Sequence, residues 1–235
     1  MKVFCARSMH VAITRIVQTF ADSHDGIVEF VFEPMGALQA RIAAGETADL
    51  LILAEPAINA LAQTGAVVAE SRAPIARAPI GVAAREGTAA PDISNADAFT
   101  AALKSARAIA LSDPAVGGSA GTYLRELFRR LGLAEEIAAK TISQRSGVAS
   151  ADCVGRGEAD LALSFIPELL QGRGARVLGP LPPPFGHMTA YVAAVSAGSS
   201  EPDAACALIA TLTSPQARAI WIAAGFEVGT AANGA

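Results

Sequence analysis

A short phrase recurs in this chain at a separation of roughly a hundred residues. Gly45-Glu46-Thr47-Ala48-Asp49 runs into Leu50-Leu51-Ile52-Leu53-Ala54, and Gly157-Glu158-Ala159-Asp160 runs into Leu161-Ala162-Leu163-Ser164-Phe165. Each copy follows a stretch with helical spacing and leads into an apolar run of strand length. A helix, a glycine that stops it, an acidic turn and a buried strand form half of a strand–helix–strand unit. Two copies point to two similar α/β lobes with a ligand cleft between them. The two aspartates are expected to brace the starts of equivalent strands rather than to do chemistry.

The material suits such a fold. Of 235 residues, 52% are apolar and 17% charged, enough for packed cores and too little polar sequence for long disordered tails. The net charge is −4 and no basic block occurs, which argues against sequence-independent binding to nucleic acid. No run of about 18 apolar residues exists to cross a membrane. Three cysteines, Cys5, Cys153 and Cys206, lack zinc spacing and a disulfide pattern; they read as small buried hydrophobes. No metal or cofactor motif is present. Lys2-Val3-Phe4-Cys5-Ala6 already reads as a core strand, so a cytoplasmic, monomeric protein is expected, or a periplasmic one if a leader has been removed ahead of Met1.

Strand-like runs at 3–6, 27–32, 50–54, 74–84, 108–111, 161–165 and 189–195 alternate with helical runs at 9–21, 38–44, 57–64, 96–105, 122–131, 148–156, 202–212 and 215–224. Residues 137–141 and those after them read as strand or loop, and 177–184 as extended. Alternation of this kind predicts a mainly parallel sheet in each of two Rossmann-like lobes joined by a hinge. The last strand and two helices have no sheet of their own unless the chain returns. Lobe one is therefore predicted as residues 1–82 plus 190–235, and lobe two as 83–189, with crossings near 81–84 and 187–191.

In such sheets a ligand lies beyond the carboxyl ends of the strands, against helix N-termini. The loops there supply the candidates. Ser8, at the start of an apolar-periodic run, is placed as an N-cap beside Arg7, which could clamp a carboxylate in two-pronged fashion. Gly117-Gly118-Ser119-Ala120-Gly121-Thr122 is glycine-rich but is neither a Walker loop nor a dinucleotide loop. Gly118, Ser119 and Thr122 could present N–H and hydroxyl donors to an anion. Arg145 and Ser146 precede another helix, and Met35 opens one without offering a hydrogen bond. Among possible bases, His10 comes first, with Tyr123 and Glu55 behind it. His24 reads as a turn residue, and His187 lies near a crossing.

Taken in order, these segments resemble the periplasmic molybdate-binding proteins of ABC importers, in the type II solute-binding superfamily. The resemblance rests on Ala6-Arg7-Ser8-Met9, Met35-Gly36-Ala37-Leu38, residues 45–54, 114–131, 154–165 and 191–195, and the helices after them. It implies a two-lobed fold closing on a small anion, with no cofactor. Two departures stand out. That family places a serine where Met35 stands and a tyrosine where Phe165 stands, so tetrahedral molybdate loses two ligands. With Arg7 and the loop at 118–122 added, the pattern is closer to a branch of the superfamily similar to bacterial aconitate isomerases. That branch implies proton transfer on an unsaturated polycarboxylate. The alternative is a non-catalytic receptor for molybdate or another small anion, working with an ABC permease.

Overall fold

The computed structural model of the chain describes residues 1–21, 27–113 and 119–229. His24 and Gly118 therefore lie outside the described residues. Two compact units emerge: Met1–Ala78 with Thr189–Ala235, and Pro79–Met188.

In the first unit β1 (Lys2–Ala6) runs parallel to both β2 (Glu29–Glu33) and β3 (Leu50–Ala54). A late strand, β9 (Met188–Val195), pairs antiparallel with β3 and returns the chain to this sheet. Alternation along the strands sends side chains to two apolar layers. One layer joins Phe4, Leu51, Leu53 and Val192 to Leu38 of α2 (Met35–Ala43) and Ile58 of α3 (Glu55–Gln63). The opposite side is covered by α1 (His10–Ala21), which meets α9 (Pro202–Leu212) and α10 (Pro215–Ala223). Ala12, Ile13 and Ile16 of α1 are buried while Thr14 and Arg15 are exposed, as the helical spacing predicts. The Trp221 indole N–H donates to the Leu212 carbonyl at 3.0 Å, which satisfies the one polar atom of a fully buried ring.

In the second unit β5 (Ile109–Ser112) is parallel to β6 (Thr141–Gln144) and to β7 (Leu161–Phe165). The long β4 (Ala73–Arg85) pairs antiparallel with β7 and with β8 (Ala175–Pro180). The helices are α4 (Ala96–Ser105), α5 (Ser119–Arg130), α6 (Ala134–Ala139), α7 (Gly147–Gly155) and α8 (Ile166–Leu169). Ala110 and Ala162 of the sheet bury against Ala151, Cys153 and Val154 of α7. These small side chains let that helix lie close to the strands.

The repeated phrase takes the same structure twice. Gly45 and Gly157 adopt φ of +83° and +78°, the left-handed geometry that ends a helix and that glycine tolerates. Asp49 then accepts the backbone N–H of Lys2 at 2.8 Å, and Asp160 accepts that of Arg107 at 2.7 Å. Each carboxylate thus ties the start of its own strand to the start of the neighbouring parallel strand. Asp49 is the more enclosed of the two. Burial alone would raise its pKa. The N–H groups of Lys2 and Ser200 and the hydroxyls of Ser199 and Ser200 outweigh that, holding it at about 2.

Several expectations need correction. The sheets are mixed rather than mainly parallel, because β4, β8 and β9 run against their neighbours. Residues 137–139, the start of the stretch expected as strand or loop, instead close α6 (Ala134–Ala139), with β6 following from Thr141; Ile137 is buried, and Glu135 and Glu136 sit favourably in the first turn of α6. The helix α2 opens at Met35 as expected, while α3 starts at Glu55, two residues before the apolar spacing suggests, because Pro56 fits the first turn of a helix. Cys5 and Cys153 are buried, but Cys206 is exposed on the outer side of α9.

Candidate functional site

The parallel strands β2, β1 and β3 end on one edge of the first unit's sheet, and each leads straight into a helical turn. Ala6, Pro34 and Ala54 precede those turns, and none offers a side chain to cap them. The first N–H groups of a helix have no intrahelical acceptor, and the helix dipole adds partial positive charge there. Three other helix starts are closed by side chains: Asn95, Ser146 and Ser214 each accept a backbone N–H three residues on, whereas α6, α8 and α9 also start without a side-chain cap. The edge of the first unit is therefore left with three uncapped N-termini, an arrangement suited to an anion.

Ser8 is not the N-cap expected from its position. It lies inside a 3-10 turn, Arg7–Met9, with Ala6 in the cap position. The side chain is buried, and its Oγ sits 2.8 Å from the hydroxyl of Tyr191, itself only 2% exposed. The pair ties the β1 turn to β9. Sequence reasoning did not nominate Tyr191. The signal available was its position on an apolar strand as one of only two tyrosines, since a buried phenol needs a partner. Arg7 is half-buried at the same turn. His10 opens α1, is exposed, and lies with its ring centroid 4.5 Å from that of Phe32. Met35 opens α2, but its side chain packs against the core. Glu55 is exposed at the first turn of α3 and lines a cavity of about 520 Å³ in this unit, with Arg77, Tyr191 and Val228.

In the second unit Ser119 is the first residue of α5, and Thr122 is exposed one turn on. Arg145 is exposed, and Ser146 caps α7 by accepting the Ala149 N–H at 3.1 Å. Tyr123 stands apart from these loops. Its hydroxyl donates to the Phe185 carbonyl at 2.9 Å, and its ring stacks on His187 with centroids 4.1 Å apart. Burial lowers the His187 pKa. Phe165 is buried and precedes α8 without offering a cap.

A further group at this edge was not read from the sequence. Glu168 of α8 is 8% exposed, and its Oε2 accepts from Ser164 Oγ at 2.9 Å and from the Gly147 N–H at 3.2 Å. Its residues lie on three elements and carry no motif spacing.

With this geometry in hand, comparison with known proteins is informative. A family model described as bacterial extracellular solute-binding protein matches residues 1–227. An aconitate isomerase from Pseudomonas sp. is 36% identical over 182 residues, covering 77% of this chain and 68% of that protein. The molybdate-binding periplasmic protein of Azotobacter vinelandii superposes over 98% of this chain and 100% of its own, with a TM-score of 0.77 at 20% identity. The substrate-binding domain of a putative molybdenum ABC transporter from Clostridium difficile gives the same TM-score over 98% and 99%, at 17% identity. The two structural likenesses establish the periplasmic-binding-protein fold.

Proposed function

From a chain that belongs to the bacterial extracellular solute-binding protein family, we propose an enzyme that binds a small organic polycarboxylate and isomerises it by proton transfer, in the manner of an aconitate isomerase. The observation that carries this reading is the 36% identity to a protein of that name over 77% of the chain. The uncapped helix starts at Ala6, Pro34 and Ala54 suit ionised carboxylates. Arg7 supplies a planar, two-pronged donor, which matches a carboxylate better than a tetrahedral anion. Ser119, Thr122, Arg145 and Ser146 offer the donors of the second unit.

Proton abstraction next to a carboxylate needs a base within reach of the proton. His10 fits best: it is exposed, it opens the helix that follows Arg7 and Ser8, and Phe32 fixes one side of its ring. Glu55 is the next candidate. Tyr123 is less available, since its hydroxyl is engaged by Phe185.

A receptor that binds its anion without chemistry is the second reading, favoured by the molybdate-binding structural relatives. Among the described residues no helix is long and apolar enough to cross a membrane. The family is described as extracellular, and nothing in the fold favours the cytoplasm over that compartment.

Proton NMR of cis- and trans-aconitate incubated with the protein in D2O separates the two. Interconversion with deuterium uptake is expected. Tight binding of either acid with neither conversion nor exchange would leave the receptor reading in place.

A further inference from the structure

The two copies of the repeated phrase differ in what reaches their aspartates. In the first unit the segment after β9 comes back to Asp49. The Ser200 N–H and the Ser199 and Ser200 hydroxyls donate to its Oδ1 at 2.9, 3.0 and 3.1 Å. The N-terminal amino group, 2.7 Å from Glu201, pins that segment further. The start of β3 is thus closed by the chain itself. In the second unit Asp160 is held from Arg107, whose backbone N–H, Nε and Nη2 donate at 2.7, 3.2 and 2.6 Å. Among the described residues no segment comparable to 199–200 donates to it. Asp160 instead lines a cavity of about 490 Å³ at the starts of β5 and β7. Sites for small molecules run from about 300 Å³ upward, so the space is ample. It lies at the other ends of the parallel strands from the loops that carry Ser119 and Ser146.

The charges around this cavity leave one group unspent. Arg85, Arg107 and Asp160 line it. Arg107 and Asp160 are committed to each other, and Glu158, between two lining residues, is committed to Arg156 at 2.6 and 2.8 Å. Arg85 remains. Among the described residues its guanidinium makes no hydrogen bond and no ion pair. Arg85 is exposed at the end of β4, but its head group has a defined seat. It lies against Gly157, where a Cβ would stand 2.9 Å from Nη1 and 3.5 Å from Cζ. The two lining hydroxyls are already donating: Thr88 to the Arg85 carbonyl at 2.8 Å and Ser105 to the Ala102 carbonyl at 3.2 Å. Much of the remaining wall is small and apolar, with Ala90, Pro91, Ala102 and Ala106.

A guanidinium presents parallel N–H donors that match a carboxylate on two prongs. Alanine and proline walls leave room for an apolar body behind that group and offer it no polar partner. The chain carries a net charge of −4, so it does not draw anions in as a whole, and a site for one depends on a local cation. We propose that this cavity is a second ligand site, for a small monocarboxylate with a short aliphatic body, and that Arg85 is its anchor. The site is separate from the uncapped helix starts of the first unit. It stands whether or not the protein isomerises a polycarboxylate.

Calorimetric titration of the full chain with sodium butyrate tests it, with butyramide as the control that keeps the body and loses the charge. Saturable binding of butyrate with a Kd of about 1 mM or tighter is expected, and none of butyramide. Arg85→Gln keeps a donor and loses the charge; butyrate affinity is expected to fall at least about tenfold. Ala90→Phe fills the cavity from an exposed position after β4 and is expected to weaken butyrate equally. Both positions are exposed, so both variants are expected to keep the wild-type circular dichroism spectrum, and either one that does decides. No saturable butyrate binding by the wild-type up to about 20 mM would overturn the proposal. So would butyrate binding that a folded R85Q or A90F leaves unchanged, which would put the acid elsewhere on the protein, and so would equal binding of butyramide.

Discussion

Replacing Asp49 by asparagine tests the role of the repeated phrase most directly. The carboxylate accepts four hydrogen bonds: the Lys2 N–H on Oδ2, and the Ser200 N–H and the Ser199 and Ser200 hydroxyls on Oδ1. Its pKa is about 2 against an ordinary 3.8. At about 1.4 kcal/mol per pH unit, the ionised form contributes about 2.4 kcal/mol to folding at neutral pH. The residue is 8% exposed, so solvent screening discounts this little. Asparagine keeps the shape and loses the charge. It can also accept on one side only, leaving either Lys2 or the Ser200 group facing an NH2, at a further cost of about 1 kcal/mol. The expected loss is therefore about 2–4 kcal/mol at pH 7, read from urea unfolding. The sign follows from a depressed carboxyl: the charge-dependent part is present above the unfolded value near 4 and fades as pH falls towards 2. The gap between wild-type and D49N should narrow by roughly half between pH 5 and pH 2. A loss under about 0.5 kcal/mol at pH 7, or a gap that does not change with pH, would refute the reasoning.

Other outcomes follow from the same geometry. Gly147→Ala forces a methyl group into Ser164 and Glu168 and should cost about 1–3 kcal/mol in urea unfolding, well beyond a surface Gly→Ala change. His10→Gln should lower aconitate turnover at least about a hundredfold while leaving calorimetric affinity within a fewfold, since the His10 side chain is exposed and its ring packs against Phe32 at the surface. Ser8→Ala removes the partner of a buried tyrosine hydroxyl; a stability loss of about 1 kcal/mol and roughly tenfold weaker ligand binding are expected. In the native protein a thiol reagent should titrate Cys206 quickly, and Cys5 and Cys153 only on unfolding, burial having raised the thiol pKa of both.

Much of the fold was legible because it is local. Glycines that stop helices, apolar runs of strand length and the spacing of Ile13 and Ile16 are properties of neighbouring residues, and each appears where it was expected. The family likeness followed from the order of those segments. What failed was also physical. The α6 helix is short, and its buried Ile137 reads the same as a strand residue until its neighbours are known. Ser8 looked like a cap because serine at a helix start usually is one. Its hydroxyl instead goes to Tyr191, a residue 183 positions away in sequence. Glu168 was invisible as a buried polar group because α8 is only four residues long and shows no apolar period.

The sequence by itself determined which strands are equivalent in the two units, and hence which loops follow the carboxyl ends of those strands. Those facts are carried by periodicity and by a repeated phrase. Only the tertiary structure decided what each of those strand ends offers. Three helix starts in the first unit are left without caps, while the start of α7 in the second holds the chain's own carboxylate. The reason is that a hydrogen bond depends on distances of about 3 Å across strands and helices far apart in the chain. No spacing within the sequence encodes the meeting of Ser164, Gly147 and Glu168; the packing of α7 and α8 against β7 does.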